Sequence, residues 1–266
     1  MNNARTIMYI AHGGGPMPLL GDSAHQNMID TLKVMAGKIA KPSAILLISA
    51  HFEANIPTLT SGAKPNLIYD YHGFPKAAYD IQYPCKGAPQ LAQAVQQCLQ
   101  SSGINVQKDP QRGFDHGMFV PLKLMFPDAD VPCVQLSLDS SLDATKHLAM
   151  GQALASLDWE NLLIIGSGFS FHNMAAFFSS DDSANQKNQT FETWLRNTLT
   201  NTNITEAQRT QLLANWHTAP EARFCHPREE HLLPLHVCYG AARKVSDELF
   251  ACTVLSKQSS MFLWHV

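Results

Sequence analysis

Twelve histidines are the unusual feature of this 266-residue chain, and several stand beside glycines just past apolar runs. An imidazole can ligate a metal through either ring nitrogen and can carry a proton near neutral pH. Clustered histidines therefore offer metal chemistry, acid–base chemistry or both. His12 precedes Gly13-Gly14-Gly15-Pro16, His51 follows AILLISA, and His172 lies in GSGFSFHN beyond the run LLII. A strand, then a glycine-rich loop, then a polar side chain is the layout that sets ligands in the crevice at the carboxyl edge of a sheet. A lone strand-end histidine is most often only a hydrogen-bonded or half-exposed residue. Three in equivalent positions make coincidence a poor explanation. The triglycine makes Gly14 a point where backbone can approach a ligand closely. It lacks the GxGxxG pattern and the Walker lysine of a phosphate cradle. Glu53 is near enough to His51 in sequence to accept an imidazole N–H.

Two further clusters matter. Arg112-Gly113-Phe114-Asp115-His116-Gly117 sets an acid and an imidazole in a glycine-flanked loop, although a tight turn with Asp115 capping the next helix would look the same. His226-Pro227-Arg228-Glu229-Glu230-His231 reads as the opening of the last helix, with Pro227 in its first turn. Five residues turn a helix by about 500°, so His231 and His236 do not share a face. His231 is the better ligand and His236 a packed residue. His25, His147 and His217 read as surface or helix residues, and His72, in YDYHGFP, either reaches a substrate pocket or is part of a loop.

The elements that must position these residues alternate along the chain. Strands are expected at Thr6–Ile10, Ala44–Ser49, Thr58–Thr60, Leu67–Tyr69, Ala78–Gln82, Val131–Leu138 and Leu162–Gly166, with a closing hairpin of Leu249–Leu255 and Ser260–His265. Helical spacing marks Ser23–Ala40, with Asp22 or Ser23 as its cap, and then Gly87–Ser102, Leu142–Leu157, Gln189–Leu199, Thr205–Leu213 and Glu229–Ala242. The polar stretch Ser179–Lys187 is the expected mobile excursion. No repeat or low-complexity linker divides the chain. The expectation is one α/β domain over 1–266: a central mixed sheet flanked by helices, with the metal site at strand-end loops.

Composition narrows the function. A net charge of −3 and a pI near 6.4 argue against a phosphate-bound nucleic-acid partner. No apolar run reaches the roughly 18–20 residues of a membrane span, and the opening residues read as a first core strand rather than a signal peptide. Six cysteines without a CxxC pair suit buried free thiols in a reducing cytoplasm.

Six ordered motifs, AHGGGP, SAHFE, RGFDHGMFVPL, PDADVPCVQLSL, LLIIGSGFSFHN and HPREEHLLPLHVCYGAA, resemble the DODA-type class III extradiol ring-opening dioxygenases, relatives of DOPA 4,5-dioxygenase and of the protocatechuate 4,5-dioxygenase β subunit. The likeness runs from about residue 7 to residue 243. It implies that His12, His51 and His231 hold a metal and that His172 is the catalytic acid/base. His116 would join it in the catalytic group, lining the substrate pocket with His226, Asp115 and Gly14. The β-subunit branch uses a carboxylate as third ligand where this chain offers His231, as the DOPA-type branch does.

That chemistry suits the residues. Ferrous iron takes six ligands, so three protein ligands on one face leave room for two catecholate oxygens and O2. A histidine outside the ligand set can accept a phenolic proton and return one, since its ordinary pKa is about 6.5. The implied activity is Fe(II)-dependent opening of a catechol-type ring by O2 to a muconic semialdehyde type of acid. Three neutral imidazoles also bind zinc readily, so Zn(II) is an alternative occupant of protein as isolated. The competing readings are a zinc-dependent hydrolase and a non-enzymatic binding protein of the same superfamily. A monomer and a homodimer are equally compatible with the sequence.

Overall fold

The continuous apolar runs form the centre of the sheet, as expected of strands covered on both faces. The strands are β1 (Thr6–Ala11), β2 (Ala44–Ala54), β3 (Thr58–Thr60), β4 (Gln107–Asp109), β5 (Cys133–Asp139), β6 (Leu162–Gly168), β7 (Glu248–Val254) and β8 (Lys257–His265). In this computed structural model, which describes residues 5–179 and 181–266, they build one eight-stranded sheet in the order β4-β3-β5-β2-β6-β1-β8-β7. The run β5-β2-β6-β1 is parallel, and β8 and β7 add an antiparallel hairpin beside β1. The carboxyl ends of β1, β2 and β6 therefore open side by side. Helix Leu233–Ala242 packs on β6 and on helix Ala144–Leu154, while Gln26–Gly37 packs on β7 and on His116–Met125. The mixed sheet flanked by helices is the fold class read from the sequence.

Five local expectations are corrected. β2 runs past Ser49 to Ala54, with its register against β5 shifting between Ile48 and Glu53, so His51 sits on the strand itself. Leu67 makes a single bridge, to Phe114, and Lys76–Tyr79 is one helical turn behind Pro75, so neither segment is a strand. Helix formation near the last motif waits until Leu233, because the His231 carbonyl is taken by Phe169 N–H at 2.9 Å and Tyr9 Oη–H at 3.0 Å. The expected mobile excursion is helix from Asp182 to Thr200, capped by Asp181, whose carboxylate accepts from Ser183 N–H; Ser180 lies outside the described residues.

Close backbone approach fixes the crossing of β6 and the His231 turn. A Cβ on Gly168 would stand 2.0 Å from the His231 carbonyl oxygen, so only glycine allows that contact. Gly13 has φ +83°, a conformation that turns the chain sharply after His12.

A histidine-walled candidate metal site

The three parallel strand ends and the His231 turn enclose a cavity of about 410 Å³, and six of the twelve histidines line it: His12, His25, His51, His116, His172 and His231. His12 and His231 are almost fully buried, while His51 and His172 reach the open space more freely. The rings of His12, His51 and His231 form a nearly equilateral triangle, with centroid separations of 4.9, 4.9 and 5.2 Å.

Hydrogen-bond partners set the tautomers. Ser167 gives its hydroxyl proton to the Gly117 carbonyl and so accepts from His12 Nδ1, which leaves the His12 lone pair on Nε2. Glu230 accepts from His231 Nδ1 at 2.9 Å, and Asp70 from His116 Nδ1 at 2.8 Å, which leaves Nε2 of each ring uncommitted by these bonds. Carboxylates behind imidazoles in this way fix ring orientation and raise ligand basicity. His12 Nε2 faces His51 Nε2 at 3.0 Å. That separation suits a shared proton and also a shared cation, since two nitrogens about 2.1 Å from one ion and at a right angle stand about 3.0 Å apart.

Burial, reinforced by neighbouring imidazoles, pushes His12 and His51 well below the ordinary histidine range. Burial and then His172 lower His231 to about 3. These three rings are thus neutral at neutral pH, the form that binds metal. Donor atoms of His12, His51 and His116 lie within 4.8 Å of one another, as do those of His172, Glu230 and His231. The donor set fits a divalent ion of borderline hardness.

His172 stacks on His231, with centroids 3.4 Å apart and planes 16° from parallel. Its Nδ1 also meets Glu230, at 3.0 Å, so one carboxylate holds both rings. Burial alone would raise Glu230, but its hydrogen bonds from His172 and His231 outweigh that and keep it ionised.

The structure separates the residues singled out in the sequence. His12, His51, His116, His172, His231 and Gly14 come together at the cavity. Asp115 and His226 do not line it. Asp115 is fully buried, accepting from Ser49 Oγ at 2.7 Å, and so supports the β2 end rather than touching a ligand. His226 is sealed between Phe191 and Trp216, with Nε2 at 2.8 Å from the Ser170 carbonyl. Glu53 serves no imidazole: its carboxylate takes both guanidinium arms of Arg228 at 2.6 Å. His25 is no surface residue. It is fully buried, accepts Gly14 N–H at 3.0 Å, and gives Nδ1–H to Asp22, which explains why Asp22 does not cap the helix. Sequence reasoning does not reach Glu230, Asp70, Ser167 and His25 as positioning groups; only Glu230, adjacent to His231, has a local signal.

Comparisons with known proteins bear on the family and the fold. Residues 6–263 match the family model described as catalytic LigB subunit of aromatic ring-opening dioxygenase. The dioxygenase tasH of Hapsidospora irregularis is 40% identical over 90% of this chain and 78% of its own length. The 4,5-DOPA dioxygenase extradiol of Beta vulgaris is 40% identical over 91% of this chain and 88% of its own, and that of Escherichia coli K12 is 34% identical over 88% and 84%. A crystal structure of an uncharacterized Escherichia coli K12 protein superposes with a TM-score of 0.77 at 28% identity, covering 97% of this chain and 99% of that one. With its fold and its sequence in agreement, the chain belongs to the LigB family of aromatic ring-opening dioxygenases and is an extradiol oxidoreductase.

Proposed function

We propose that the protein opens a catechol-type ring with O2 to a muconic semialdehyde-type acid, using a divalent ion held by His12, His51 and His231. The observation that carries this is the triangle of neutral rings, two of whose nitrogens meet at 3.0 Å. Fe(II) is the ion the reaction needs, because zinc has no accessible redox step. When bound, it would polarise the ring oxygens and couple the ring electronically to O2.

The chain's own residues do the rest. His172, with Nδ1 tied to Glu230, has Nε2 free of that bond to accept a phenolic proton and later return it. His116, fixed by Asp70 through both its backbone N–H and Nδ1, is in reach of the same cavity and would steer a substrate oxygen. Gly14 and Tyr71 line the same cavity, whose apolar walls would limit water around a bound ring. The six free thiols support a reducing cytoplasm as the place of action.

Anaerobic loading tests the reading. Fe(II)-loaded protein should hold about one ion per chain and consume O2 with a catechol, whereas the Zn(II)-loaded form should not. A zinc form that turns over a catechol as fast as the iron form would break the redox account.

A further inference from the structure

The cavity changes character along its depth. Its buried end is imidazole: His12, His116 and His231 are 2%, 5% and 5% exposed. Its open end is apolar, formed by Met17, Phe74, Met174, Phe178 and Leu255. Met174 and Phe178 are 56% and 75% exposed, among the most exposed large apolar side chains described.

Among the described residues, no Asp, Glu, Lys or Arg lines this cavity. Charges close to it are already committed. Beside the open end, Lys257 Nζ is bound to Asn185 Oδ1 at 2.8 Å and to the Ser179 carbonyl at 3.3 Å, and the Asp181 carboxylate accepts from Ser183 N–H. Asp70 and Glu230 stand behind histidines and accept their N–H groups. Arg228 is bound to Glu53 through two 2.6 Å contacts and to Glu230 at 3.3 Å. Among the described residues lining the open end, a substrate carboxylate would find no cation and a substrate ammonium no carboxylate. Desolvating either against phenylalanine, methionine and leucine side chains is unfavourable without a partner. A volume of about 410 Å³ lies in the roughly 300–1,000 Å³ range of pockets that hold drug-sized ligands, so a ring at the histidine end leaves space for a substituent.

We propose that the ring this site accepts carries a neutral, apolar substituent, alkyl or aryl, that projects between Phe74, Met174, Phe178 and Leu255, and not an amino-acid or carboxylate side chain. The proposal rests on the ring-cleavage reading for the position of the ring, and it departs from the amino-acid substrate in several relatives' names.

Anaerobic calorimetric titration of Zn(II)-loaded protein with 4-tert-butylcatechol, DOPA and 3,4-dihydroxyphenylpropionate tests it without turnover. The tert-butyl compound should bind at least tenfold more tightly than either charged one. The same order should appear in kcat/KM for oxygen uptake by the Fe(II) form. Met174→Arg, a change at an exposed rim position, should narrow the gap by improving the propionate. Equal or tighter binding of DOPA or the propionate overturns the proposal, as does the absence of binding by all three. Should the binding order hold while no catechol drives oxygen uptake, the ring-cleavage reading fails and the pocket assignment stands. Oxygen uptake that favours DOPA does the reverse.

Discussion

Two buried glutamates, Glu230 and Glu192, do opposite work in this molecule. Glu230 stands behind two of the histidines that line the cavity and accepts from both, and those bonds hold it ionised against its burial. Glu192 is sealed between helix Asp182–Thr200 and β8, where Ser260 Oγ donates to it, and burial raises it to about 7 despite the serines and Arg196. Both regions contain a histidine, a carboxylate and hydroxyls. The difference is what the neighbouring groups adjoin. The imidazoles that Glu230 holds line a cavity; Glu192 is surrounded by packed side chains, and His226 belongs to that sealed side. A polar cluster is a site only when space adjoins it.

The sharpest way to break this contrast is at the ligands. His12→Ala should lose the metal and the ring-opening activity together, read as metal stoichiometry and oxygen uptake. A variant with full metal and full turnover would remove His12 from the site. His172→Ala should keep about one ion per chain while turnover falls by roughly 10²–10⁴, the usual contribution of a positioned acid/base. Undiminished oxygen uptake per folded molecule would move that role to His116.

A smaller effect should follow Glu230→Gln. It keeps the shape but takes the charge from behind His231 and His172, so metal affinity or turnover should fall by about 10–100-fold. The melting temperature should change little by comparison. If stability falls and activity per folded molecule is kept, Glu230 belongs with Glu192 as a structural acid.

Much of this is readable in the sequence because it is local. The runs AILLIS and LLII have the length of strands covered on both faces, and glycines near His12 and His172 mark the strand ends. What escapes depends on partners far apart in the chain. Asp70 meets His116 across 46 residues and Arg228 meets Glu53 across 175, separations that no motif encodes. His25 and His226 trade places for the same reason. His25 has the local context of a surface residue in the first turn of a helix, but the glycine turn folds back onto it. His226 has the context of a pocket-lining loop residue, but Phe191 and Trp216 close over it. Pro227 suggests a first helical turn, yet Pro234 fills that position and the His231 carbonyl is bound elsewhere.

The mildest prediction concerns Glu192, and it is one of stability alone. In the folded chain this carboxyl titrates at about 7, against an ordinary value of 4.5. Below pH 4.5 it is protonated in both folded and unfolded chains and costs nothing. As pH rises from there to about 7, the unfolded chain releases the proton and the folded chain keeps it, so stability is progressively lost; above 7 the loss is complete. Glu192→Gln fixes the neutral form. Its advantage over the parent should therefore be near zero at pH 4.5, grow through pH 5–7, and level off above, reaching at most about 3 kcal/mol. Denaturant midpoints of both proteins at pH 5 and pH 8 measure this, since groups common to both cancel in the difference. Turnover by the iron form should stay within about twofold, because Glu192 touches serines and not the cavity. The opposite sign, with the glutamine variant weaker at pH 8 than at pH 5, would mean that Arg196, 3.7 Å away, holds Glu192 ionised. The two glutamates would then be alike in charge, and only their access to the cavity would distinguish them.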